Sequence, residues 1–101
     1  MKVLIQSRVT LEGIRGSYFP EFTDFLKRNN VPYTYSMQSS AGTPQEHRYR
    51  IYLNDDNDPT VCVNLSEEDM KIFLNTVERH SRKRIQFEYL GNMRFDLILG
   101  N

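Results

Sequence analysis

Cysteine is nearly missing from this chain of 101 residues. Cys62 stands alone, so no intramolecular disulfide can form, and a reducing compartment is the expected home. Long apolar runs are missing too. Nothing approaches the roughly 20 residues of a membrane-spanning helix, and Val3-Leu4-Ile5 is too short for the apolar region of a secretory signal. These absences predict a soluble, cytoplasmic protein with no membrane partner. Net charge is absent as well: 13 basic residues balance 13 acidic ones, which argues against a protein held on nucleic acid by bulk electrostatics. No phosphate-cradling glycine loop, no Gly-aromatic RNA-recognition signature and no catalytic or metal-binding constellation is recognisable. No enzymatic activity, cofactor or metal site is therefore expected.

What is there is a pattern of elements. Residues 2–11 alternate, with Val3, Ile5, Val9 and Leu11 on one side, as in a half-buried strand. Gly13 and Gly16 bracket a turn. Ser17 is a candidate helix cap, Pro20 fits a first helical turn, and Phe22, Phe25 and Leu26 follow at helical spacing. That helix must stop near Asn29-Asn30, because Pro32 pushes Val31 out of the helical region. Residues 32–37 and 46–53 alternate again and form a hairpin with a long, mobile tip at 38–45. Residues 60–65 make a short strand. Ser66 with Asp69 three residues on starts a second helix, with Leu65 and Met70 placed for a hydrophobic staple and Met70, Phe73, Leu74 and Val77 as its buried stripe. A last hairpin spans 85–99. A three-residue loop, Leu90-Gly91-Asn92, pairs Tyr89 with Met93, Phe87 with Phe95 and Ile85 with Leu97, and sets Glu88 opposite Arg94.

The expected fold is α+β: a single, mainly antiparallel sheet of about six strands with two helices on one face, in the order β-α-β-β-β-α-β-β. One domain, 1–101, would hold two βαββ-like halves at about 1–53 and 60–99. The expected core is Val3, Ile5, Val9, Phe22, Phe25, Leu26, Tyr35, Ile51, Val61, Val63, Phe73, Leu74, Val77, Phe87, Phe95 and Leu97.

Function must come from the surface. Arg79-His80-Ser81-Arg82-Lys83-Arg84 is a basic run at the end of the second helix. Such a run binds phosphates or acidic partners, or simply complements the helix dipole. Arg48, Arg50 and Tyr52, joined by Arg8, point from one side of their strand; Arg and Tyr on an open sheet suit a protein interface or single-stranded nucleic acid. The expected partner-binding residues are thus Arg48, Arg50, Tyr52, Arg79, Arg82, Lys83 and Arg84. The leading expectation is a small non-enzymatic binding or regulatory protein, of inhibitor or adaptor type, that occupies another protein. The alternative is an RNA- or DNA-binding regulator using the same residues. Homo-oligomerisation is a further expectation, since the acidic stretch 54–69 of one copy complements the basic stretch 79–84 of another.

Weaker signals remain. Asn54, Asp56 and Asp58 alternate like the start of a calcium loop, but Pro59 or Val61 stands where that loop needs glycine. His47 and His80 are possible acid–base groups, though Cys62 in a Val-rich strand reads as a buried or half-buried small residue. Gly13-Ile14-Arg15-Gly16 puts Arg15 near a helix start that could attract an anion, with a simple turn as the plainer reading.

Overall fold

The computed structural model describes residues 2–5, 8–54, 61–81, 85–89 and 94–99. It has mixed helix and strand content, with two helices and seven strands among the described residues. The strands form two sheets rather than one. A three-stranded antiparallel sheet is built from β2 (Val9–Arg15), β4 (Arg48–Leu53) and β3 (Tyr33–Ser39), in the order β2-β4-β3. A four-stranded sheet takes β1 (Lys2–Ile5), β5 (Val61–Asn64), β6 (Ile85–Tyr89) and β7 (Arg94–Leu99), in the order β5-β1-β7-β6. The continuous strand expected over 2–11 is therefore two strands with different partners. β1 lies antiparallel to β5 and parallel to β7, whereas Val9 at the start of β2 faces Leu53 of β4. Period two identifies the buried side of a strand but says nothing about which strand will bond its edge.

β2 also runs further than the glycines suggested. It continues to Arg15 through a bulge between Leu11 and Ile14, with Gly13 at φ 71. One extra residue shifts the alternation, so Leu11 and Ile14 are both fully buried.

The first helix, α1 (Phe19–Arg28), has Tyr18 rather than Ser17 at its N-cap, with no side-chain cap hydrogen bond; the Thr23 hydroxyl donates to the Pro20 carbonyl at 3.1 Å in its first turn. Its C-terminus is firmly closed. Asn30 takes the left-handed conformation (φ 57), the Asn30 amide donates to the Lys27 carbonyl and the Val31 amide to the Leu26 carbonyl. This is a Schellman end, with Val31 and Leu26 supplying its buried apolar contact. The second helix, α2 (Glu67–His80), starts as its sequence dictates. The Ser66 hydroxyl accepts from the Asp69 amide at 3.1 Å, and Leu65 and Met70 are both buried on either side of the cap.

A single apolar cluster joins both helices to both sheets. Phe22, Phe25 and Leu26 of α1 meet Phe73 and Val77 of α2, Leu11 and Ile51 of the three-stranded sheet, and Val3 and Ile5 of β1. The helices are also linked directly, by a Tyr18–Thr76 hydroxyl pair at 2.9 Å and an Arg28–Asp69 ion pair at 3.1 Å. Of the expected core, Tyr35 is 58% exposed and Leu74 only half-buried, while the side chains of Phe87, Phe95 and Leu97 lie outside the described residues. Leu53, Leu65 and Val31 are buried additions.

Ile85–Tyr89 and Arg94–Leu99 pair antiparallel, but in a different register. Tyr89 faces Phe95, Phe87 faces Leu97, and Glu88 faces Asp96 instead of Arg94. The shift is two residues. Residues 90–93, including the expected Leu90-Gly91-Asn92 loop, lie outside the described residues.

Asn54 ties the two sheets together. It is buried, left-handed (φ 61), and its side-chain amide donates to the Ile5 carbonyl at 3.0 Å while its backbone amide donates to the Pro32 carbonyl. This structural role takes Asn54 out of the calcium-loop pattern; Asp56 and Asp58 lie outside the described residues.

Candidate functional site: a basic cleft and an open strand edge

The expected mobile tip between β3 and β4 is pinned. Pro44–Glu46 form a 3-10 turn, the Gly16 amide donates to the His47 carbonyl at 2.8 Å, and the Ser17 amide donates to the Gln45 carbonyl at 3.3 Å. Gly16 permits this approach, because a Cβ there would run into the Pro44 carbonyl oxygen. The docked turn brings the start of β4 against the end of β2, with Arg48 directly opposite Arg15 in the ladder.

Those two arginines border an open cleft of about 600 Å³, whose other wall is the last turns of α2 with Asn75, Thr76, Arg79 and His80. Each cation is carried by a different element: Arg15 by β2, Arg48 by β4, Arg79 by α2. Arg48 is anchored by donating from Nη1 to the Glu46 carbonyl at 3.1 Å. His80 Nδ1 lies 3.0 Å from the Glu12 carbonyl. A carbonyl only accepts, so Nδ1 carries the proton and Nε2 is the ring's other polar atom. Among the described residues the ion pairs are Arg28–Asp69 and Arg50–Glu12; neither involves a cation of the cleft. A second open hollow of about 440 Å³ adjoins it and shares Arg15 and Arg48 as its border.

The structure thus unites Arg48 and Arg79, which the sequence had placed in separate groups, and adds Arg15. Arg82, Lys83 and Arg84 lie outside the described residues. Arg50 and Tyr52 do share the outer side of β4 with Arg48, since Ile51 and Leu53 point inward. Both are engaged there. Arg50 Nε donates to Glu12 Oε1 at 3.1 Å, and the Arg8 guanidinium lies 4.2 Å above the Tyr52 ring. The Tyr52 phenol is held below the ordinary tyrosine range, first by a hydrogen bond with Ser36 and then by one with Arg50. The Arg50 guanidinium is held above its ordinary value, chiefly by the same bond to Tyr52.

A third surface follows from sheet position. β3 is an edge strand, bonded to β4 on one side only among the described residues. Tyr35 and Met37 share the core side with their partners Ile51 and Tyr49, yet they are 58% and 51% exposed. Phe19 of α1 reaches them from below, stacked on Tyr49 at 4.1 Å and edge-on to Tyr35 at 5.1 Å. Sequence periodicity assigned these side chains to the apolar side, but it could not register that they stand exposed at the edge of the sheet.

Cys62 is exposed on β5, not buried. No group of three or more His, Cys, Asp or Glu side chains able to hold a metal ion exists among the described residues, and no helix there is long and apolar enough to cross a membrane. Comparison with protein-family models, with curated proteins and with solved structures gave no match.

Proposed function

We propose that the protein is a small non-enzymatic binding protein that acts by occupying a protein partner, with edge strand β3 as the contact. The observation that carries this reading is the exposure of Tyr35 and Met37, side by side on a strand edge with no strand neighbour among the described residues. An extended segment of a partner can add to such an edge through backbone hydrogen bonds, its alternate side chains covering Tyr35, Met37 and the Phe19–Tyr49 stack. Aromatic residues and methionine are enriched in the cores of protein interfaces. Full burial of a large apolar side chain is worth roughly 1.5–3 kcal/mol, so two of them supply a useful share of a transient affinity. An inhibitor or an adaptor would both use a contact of this kind.

Affinity capture from source-cell lysate, with and without nuclease, tests the reading. The expected result is a retained protein partner that survives nuclease and is lost with Tyr35→Ser, a change at an exposed site that leaves the core intact. Where the partner is a second copy, sedimentation of the wild type shifts with concentration and that of Tyr35→Ser does not. Capture that disappears with nuclease would favour instead the nucleic-acid reading through Arg48, Arg50, Tyr52 and Arg79. Capture unchanged by Tyr35→Ser removes β3 from the account.

A further inference from the structure

We propose that the cleft between the ends of β2 and β4 and the last turns of α2 is a binding site for the phosphate group of a small phosphorylated ligand. It is separate from the β3 edge and independent of it.

Charge is the first argument. Arg15 and Arg48 are directly opposite each other in the β2–β4 ladder. Like charges in that relation repel. Arg79 adds a third positive charge from the facing helix. Nothing in the fold demands arginine at these places: Arg15 and Arg79 are exposed, and Arg48 is half-buried. A bound dianion converts the mutual repulsion of three guanidinium groups into attraction. The two ion pairs among the described residues lie elsewhere, so the cleft has not spent its cations on its own carboxylates.

Geometry is the second. Arginines from three elements line the one cleft, so an anion there can be met from more than one side, and each guanidinium can donate two parallel hydrogen bonds to neighbouring phosphate oxygens. The frame holding them is stiff. Arg48 is anchored on the Glu46 carbonyl, the turn beside it is clamped to Gly16, and His80 is oriented by the Glu12 carbonyl. The Tyr18–Thr76 hydroxyl pair fixes the start of α1 against the helical wall. Arg48, already held in place, loses little freedom when the anion arrives. A carboxylate would satisfy one arginine; three call for a group with more charge and more oxygens.

Size and surroundings choose a small ligand over a polymer. A cleft of about 600 Å³ lies within the range of small-molecule sites, roughly 300–1,000 Å³. Arg15 and Arg48 also border the neighbouring hollow, so a phosphate on that shared wall can extend its organic part to either side. Glu46 lines that hollow and would repel a continuing phosphodiester backbone. A net charge of zero supplies no long-range attraction for a polyanion.

The test uses the full chain, titrated with inorganic phosphate and with pyrophosphate at constant ionic strength and followed by thermal unfolding and by amide and guanidinium NMR shifts. Both anions should raise Tm, pyrophosphate more, and should move the signals of Arg15, Arg48 and Arg79 together. Arg15→Gln and Arg79→Gln should each weaken binding about tenfold, the loss of one charge-assisted contact. Arg28→Gln, at the end of α1 and paired with Asp69 in the first turn of α2, should leave it unchanged. Should Arg15→Gln fail to fold, Arg79→Gln at an exposed helical position carries the comparison alone. Absence of any shift with either anion overturns the proposal, as does an equal response in Arg79→Gln and wild type. Binding of single-stranded oligonucleotides that tightens with length beyond pyrophosphate overturns it too, by making the cleft part of a nucleic-acid surface.

Discussion

Tyr52 has neighbours on its phenol and on its ring at once. Ser36 and Arg50 hydrogen-bond the oxygen, and Arg8 covers a face of the ring. The outcome is a tyrosine whose ionised form is favoured in the folded protein. Its folded pKa lies below the unfolded value of 10.0. For an acid with a depressed pKa, the contribution to stability is complete above the unfolded value and is lost as pH falls through the lowered value. Tyrosinate absorbance across an alkaline titration should therefore show Tyr52 ionising ahead of the ordinary tyrosine range. Ser36→Ala should move that step back up, and a step unaffected by Ser36→Ala would mean another tyrosine is responsible. At this scale the sequence was partly legible. Alternation put Arg48, Arg50 and Tyr52 on one side of a strand, as found, but it could not tell that Glu12 and Arg8 would occupy two of the three.

At the scale of elements, local signals read best where the chemistry is local. The Ser66 cap, the Leu65–Met70 staple and the left-handed asparagine after α1 each involve residues within one helical turn, and each is where the sequence implied. The segment 38–45 was misjudged because its constraint is remote. Its composition is loop-like, yet it is clamped by Gly16 more than twenty residues earlier. Gly16→Ala tests that clamp. The added methyl group has no room beside the Pro44 carbonyl, so the 3-10 turn must lift away. Overpacking of this kind costs about 1–3 kcal/mol, measurable as a lowered urea midpoint. If the clamp forms the basic cleft, the same change should also weaken any anion response. Gly13 is a useful contrast, since a Cβ there meets nothing and only its positive φ resists substitution.

Over the whole molecule, two sheets and two helices close on one apolar cluster. A shared core of this kind predicts a single cooperative unfolding transition, with far-UV circular dichroism and tyrosine fluorescence coinciding. Asn54 is the polar link between the sheets. Asn54→Ala leaves the Ile5 carbonyl without that donor, and it should lower stability by about 1–3 kcal/mol. Separate transitions for the two probes would mean the sheets unfold independently.

Taken alone, the amino-acid order determined what depends on neighbours in the chain: where α1 ends, where α2 begins, and that the helices turn Phe25 and Phe73 inward. It also bounded the chemistry, through one cysteine and balanced charge. Only the tertiary structure decided that residues 2–15 serve two sheets, that the last hairpin pairs two residues out of the expected register, and that Arg15, Arg48 and Arg79 meet around one cleft. The physical reason is the same throughout. Side-chain periodicity is written along the backbone, whereas hydrogen-bond partners across a sheet, and cations delivered by three separate elements, are set by distances that exist only once the chain has closed on its core.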